Sequence, residues 1–67
     1  MTVMIRAKAF FVEGGWKAQA QLGDSELPEW VIDAVKCDQP FETPGEALAD
    51  AAMRLRKVVE KEANIEN

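Results

Sequence analysis

Two adjacent glycines, Gly14 and Gly15, separate two runs in which apolar residues recur at every second position. Upstream, Val3, Ile5, Ala7, Ala9 and Phe11 alternate with Met4, Arg6, Lys8, Phe10 and Val12. Downstream, Trp16, Ala18, Ala20 and Leu22 alternate with Lys17, Gln19 and Gln21. A Gly-Gly pair suits the positive backbone dihedrals of a two-residue hairpin loop, and period-two alternation marks strands with one covered face. With Gly14-Gly15 as the loop, Glu13 faces Trp16, Phe11 faces Ala18 and Ala9 faces Ala20. The apolar members of both strands then share one face, and Lys8, Lys17, Gln19 and Gln21 share the other. A hairpin over about residues 3–22 is therefore expected. Phe10 and Val12 fall on its polar side, either as a partly covered surface pair or as anchors for a partner.

The other end of the chain carries a helix signature. In "FETPGEALADAAMRLRKVVEKEA" Thr43 can cap, Pro44 suits the first helical position, and Glu46 completes a capping box. Leu48, Ala51, Ala52, Leu55, Val58, Val59 and Ala63 gather on one side at helical spacing. A helix over about residues 44–63 is expected, with the last four residues, 64–67, fraying. Its apolar stripe should cover the sheet face of Phe11, Trp16, Ala18, Ala20 and Leu22. Ala51 and Ala52 would permit a close approach. Asp50 can pair with Arg54 one turn on, and Met53 points away from the stripe.

The middle segment, about residues 28–37, supports two readings. As a helix, Leu27, Trp30, Val31, Ala34 and Val35 fall at helical spacing, with Pro28 in the first turn. As a strand, Val31, Asp33, Val35 and Cys37 oppose Trp30, Ile32, Ala34 and Lys36. Periodicity alone favours the helix, but a lone hairpin is marginally stable and a third strand would complete a sheet, which tips the choice toward strand. The expected fold class is α+β: an antiparallel β-meander of two to three strands, covered on one face by a C-terminal α-helix, in a single domain spanning residues 1–67.

Composition narrows the function. The chain has 67 residues, one cysteine and no histidine or tyrosine. An internal disulfide is excluded, a zinc site is disfavoured, and Ser-His or Cys-His catalysis has no residues to build on. Carboxylate pairs such as Glu29 with Asp33, or Glu42 with Glu46, fit a solvated acidic face better than acid-base work. Gly14-Gly15 is a turn rather than a phosphate cradle. No catalytic residue, metal or cofactor is expected. The chain has neither an apolar run of membrane-spanning length nor a signal-peptide pattern, which suggests a cytoplasmic protein with Cys37 reduced and inert. A core this small is commonly supplemented by a partner, so a homodimer or a bound protein is expected.

Charge is unevenly placed. Residues 1–23 balance at +2, residues 24–50 at −7 and residues 51–67 at +1, for a net −4. Direct nucleic-acid binding through a broad basic face is thereby disfavoured. The acidic middle, with Asp24, Glu26, Glu29, Asp33, Asp38 and Glu42, either presents a negative surface to a basic partner or keeps the domain soluble.

A sheet followed by the capped "TPGEALADA" helix resembles the compact domain of HicB-type antitoxins. The shared motif is Thr43, Glu46, Ala47 and Leu48, with Ala51 and Ala52 at the small-residue positions that follow. The resemblance spans residues 3–63 in order of elements. It implies a partial RNase H-like fold without catalytic acids that binds and blocks a small toxic ribonuclease, often beside a separate DNA-binding domain. The sequence departs from the pattern in placing the apolar "PEWVIDAVK" where a short glycine-containing connection is usual, and in ending after the helix. The expected function is non-enzymatic protein binding of the HicB-like antitoxin or regulator type. The alternative is a phage-type acidic inhibitor of a host nuclease or defence protein. Phe10, Val12, Trp30 and Met53 are the candidate partner-binding residues.

Overall fold

The chain first reverses at Glu13 and Gly14. A computed structural model describes residues 2–65, with side chains through Glu62. Strand β1, Val3–Val12, runs antiparallel to β2, Gly15–Asp24, and β3, Val31–Lys36, pairs antiparallel with the far side of β2. The sheet order is therefore β1-β2-β3, with β1 and β3 at its edges. Helix α1, Pro44–Ile65, completes the element order. The middle segment is thus a strand, and the meander covered by one helix is the observed fold. Helical conformation includes Asn64 and Ile65, contrary to the expected fraying there; Glu66 and Asn67 lie outside the described residues.

The hairpin register differs from the expected one by two residues. Val12 pairs with Gly15, Phe11 with Trp16, Ala9 with Ala18 and Ala7 with Ala20. Glu13, expected opposite Trp16, instead lies in the turn with Gly14, which takes a φ of +93°. Only Gly14 and Gly15 have positive φ among the described residues, so Glu13 keeps the ordinary sign, as the first central residue of a type II turn does. Because side chains alternate with period two, a slip of two leaves every face assignment intact. Gly15, at φ +142°, is fixed by a second constraint: a Cβ there would meet the carbonyl of Phe41. Trp16 and Phe41 exchange both backbone hydrogen bonds, at 2.8 and 2.7 Å, which pins the β3–α1 connection against β2.

Helix α1 starts as its sequence dictates. The Thr43 hydroxyl accepts the Glu46 N–H at 3.2 Å and donates to the Glu46 carboxylate at 3.0 Å. The hydroxyl thus closes the box by itself, with Glu46 answering the side chain rather than the Thr43 backbone. Arg54 then ties the helix down: its guanidinium donates to Asp50 at 2.8 Å and to Asp38, in the β3–α1 connection, at 3.0 Å.

The core beneath α1 is built mostly from methyl groups. Ala18 and Ala20 of β2 meet Ala47, Ala51 and Leu55 of the helix, with Cys37 alongside; Ala9, Trp16, Leu22, Val35, Phe41 and Leu48 pack around them. Helix backbone can approach sheet backbone closely only where side chains are this small, and four of the six buried apolar side chains among the described residues are alanine. The helix does cover the predicted face, but over a narrower strip. Ala52 and Val59 of the predicted stripe are exposed, as is Phe11, which packs edge-to-face on Trp16 at 5.3 Å between ring centroids. One helix about 10 Å wide cannot cover a three-stranded sheet, and α1 lies chiefly over β2.

Candidate functional site

Beyond the helix, the β1 half of the covered face is left open. Val3 and Ile5 are 62% and 65% exposed although they belong to the apolar set of β1. Ile5, Ala7 and Leu22 from the sheet and Ala52, Leu55 and Val59 from the helix form the walls of a groove of about 350 Å³. Its polar contribution comes from Arg56 and Glu60, which pair with each other at 3.0 Å. The groove runs beside the free edge of β1, a ten-residue strand whose outward backbone groups have no partner strand among the described residues. An open edge beside an apolar channel offers main-chain hydrogen bonds and side-chain burial to one incoming segment.

The opposite, helix-free face of the sheet has a different chemistry. Register places Arg6, Gln21 and Ala34 in one row across the three strands, and Lys8, Gln19 and Lys36 in the next. Phe10 and Lys17 form the row after that, followed by Val12 and Gly15 at the hairpin turn. Four cations therefore project from this face, with no acid beside them in these rows, and none of the four forms an ion pair among the described residues. The Arg6 guanidinium lies 5.5 Å from the centroid of the Trp30 ring, a cation–π contact. Trp30 is brought there by an irregularity between Leu22 and Gly23, where β2 and β3 change register. Gly23 is buried and has no room for a side chain, because a Cβ would meet the Trp30 carbonyl.

The four candidate partner-binding residues do not form one surface. Phe10 and Val12 are half-buried near the hairpin turn, and Trp30 is half-buried under Arg6. Met53, 57% exposed, projects from the side of α1 facing away from the sheet. The groove-lining residues Ile5, Ala52 and Val59 were assigned by pattern to the covered face. Alternation reveals which residues share a face but not how far along that face a helix reaches.

The candidate acidic residues are likewise dispersed, and several have local duties. One Asp24 carboxylate oxygen accepts the N–H groups of Thr2 and Glu26 at 3.2 and 3.0 Å. Asp38 pairs with Arg54. Asp33 lies on the helix side of β3 near Glu62, whose carboxyl it holds above the ordinary glutamate value by hydrogen bonding and like charge. Glu26, Glu29 and Glu42 are exposed in the two connections that flank β3. No three His, Cys, Asp or Glu side chains converge among the described residues to hold a metal. Cys37 is free and buried; its thiol donates to the Ala47 carbonyl at 3.3 Å, and burial pushes its pKa up. Among the described residues, no helix is long and apolar enough to cross a membrane. Comparisons with family models, curated proteins and solved structures returned no match for this chain.

Proposed function

We propose that this chain is a non-enzymatic binding protein that recognises another protein by strand addition at the β1 edge, a regulator of the HicB-like antitoxin type. The observation that carries the reading is the pairing of a long, free strand edge with an apolar groove along its inner side. Strand addition supplies affinity through the main chain, and the groove selects every second side chain of the added segment. The resemblance in the "TPGEALADA" helix start supports the family type.

A second copy of the chain can satisfy the same edge, which supports a homodimer. Antiparallel β1–β1′ pairing centred on Ile5 would set Arg6 against Met4′ and Lys8 against Thr2′. Centring on Ala7 would instead oppose Arg6 and Lys8′, a like-charge pair.

The test compares the native chain with Ile5→Lys in sedimentation and in affinity capture from its own host. The expected result is a dimer or a captured protein partner that Ile5→Lys abolishes while the circular dichroism spectrum is retained. A native monomer at high concentration that captures nothing, or retention of every association by Ile5→Lys, would overturn the proposal.

A further inference from the structure

We propose that the helix-free face of the sheet binds the phosphate backbone of a single-stranded nucleic acid, a function separate from the β1 edge. The inference rests on how register sorts charge. The chain as a whole carries twelve acids against eight bases. Half of those bases, Arg6, Lys8, Lys17 and Lys36, project together from one face of the sheet. Arg6 and Lys8 are neighbours on the same side of β1, roughly 6.8 Å apart along the strand. Lys36 stands across Gln19 from Lys8, two strand spacings or about 9.6 Å away. The result is a cationic array spread across all three strands of one face.

The net negative charge does not cancel this array. The acids of helix α1 and Asp33 lie on the other side of the sheet. Glu13, Asp24, Glu26, Glu29, Asp38 and Glu42 stand in the hairpin turn, at the end of β2 and in the connections rather than in the three cationic rows. With a Debye length of about 8 Å at physiological ionic strength, a polyanion lying along these rows meets the four cations more strongly than the carboxylates at its margins. None of the four is occupied by an internal ion pair among the described residues, so binding displaces counterions rather than protein carboxylates.

Two features favour a nucleic-acid strand over an acidic polypeptide. Phe10 lies on the same face beside Lys17, and Trp30 reaches it beneath Arg6, so aromatic and cationic groups are interleaved across the sheet. Single-strand binders combine a positive track for phosphates with aromatic rings for bases. Gln19 and Gln21, at the centre of the platform, add both donors and acceptors for base edges. An acidic peptide would use the cations but leave the Phe10 ring and the Gln19 and Gln21 amides without partners.

The experiment is a fluorescence-anisotropy titration of a labelled twelve-nucleotide oligo(dT) with the full chain from 50 to 200 mM salt. Four phosphate contacts on a single strand give a log–log salt slope near −3, or about 50-fold weaker binding across that range. The double variant Lys8→Gln/Lys36→Gln should roughly halve the slope and weaken binding at 50 mM at least ten-fold. Lys57→Gln/Lys61→Gln, on the helix, should bind as the native chain does, and circular dichroism confirms that both variants fold. Lack of binding at 50 mM salt, or an unchanged slope in Lys8→Gln/Lys36→Gln, would overturn the proposal. Tighter binding of a duplex of equal length, or equal displacement of the oligonucleotide by polyglutamate, would overturn it as well.

Discussion

The carbonyl of Trp30 occupies the space that a side chain on Gly23 would need. This contact lets β3 meet β2 across a change of register and carries the Trp30 ring toward Arg6. Gly23→Ala should therefore force the two strands apart and destabilise the fold by about 2 kcal/mol or more. Gly45 is the control: nothing lies within 4 Å of a Cβ there, and Gly45→Ala in the first helical turn should be neutral or stabilise by about 0.4–1 kcal/mol. Urea denaturation of the two variants measures the contrast.

Thr43 is expected to cost about 1 kcal/mol when replaced by alanine, because its hydroxyl satisfies the Glu46 N–H that the helix cannot satisfy itself. Thr43→Ser retains the oxygen and should recover most of the loss. Equal destabilisation of both variants in thermal melts would show that the methyl group, not the cap, is the source.

Two carboxyls should bend the pH–stability curve in opposite senses. Glu62 has its pKa raised by Asp33 above the ordinary 4.5. Its contribution is fully present below that ordinary value and is lost as pH rises through the raised one. Asp50 has its pKa lowered below 3.8, chiefly by its hydrogen bond from Arg54. Its contribution is present above 3.8 and is lost as pH falls through the lowered value. Melting temperature should thus rise on acidification from neutrality toward about 4.5, then fall below about 3.8. Glu62→Gln should flatten the first limb and Asp50→Asn the second, as a pH series of melts would show.

Cys37 should react slowly with a thiol reagent in the folded protein. Its sulfur is buried against the Ala47 carbonyl and burial raises its pKa, so little thiolate is available. Modification by a chromogenic disulfide at neutral pH should accelerate sharply in denaturing urea. Rapid modification without urea would show that the helix separates readily from β3.

The strand at 31–36 follows only from a lone hairpin's need for a third strand, whereas the hairpin, the helix and the covered face were legible because each rests on local periodicity. Alanine at 18, 20 and 51 and the cap at Thr43 are legible in that way. The turn offset at Glu13 was not, since Gly14-Gly15 accommodates either register and face assignments survive a slip of two. The reach of α1 was not legible either: Phe11 and Ile5 share the apolar period of Ala9, yet only Ala9 packs against the core. Charge summed along the chain showed an acidic protein, whereas strand pairing brings Lys36 beside Gln19 and Lys8. That long-range pairing is invisible to any sum over neighbours in sequence.

The methyl-lined contact between Ala18 and Ala20 and the helix positions Ala47 and Ala51 has an evolutionary consequence. Any enlargement there must lift the entire helix, whereas exposed positions away from the β1 groove, the cationic rows and the crowded glycines at 15 and 23 carry no such constraint. Descendants of such a chain would hold a handful of tiny side chains fixed while those exposed positions drift. Kinship among them would be written in the spacing of alanines rather than in overall identity.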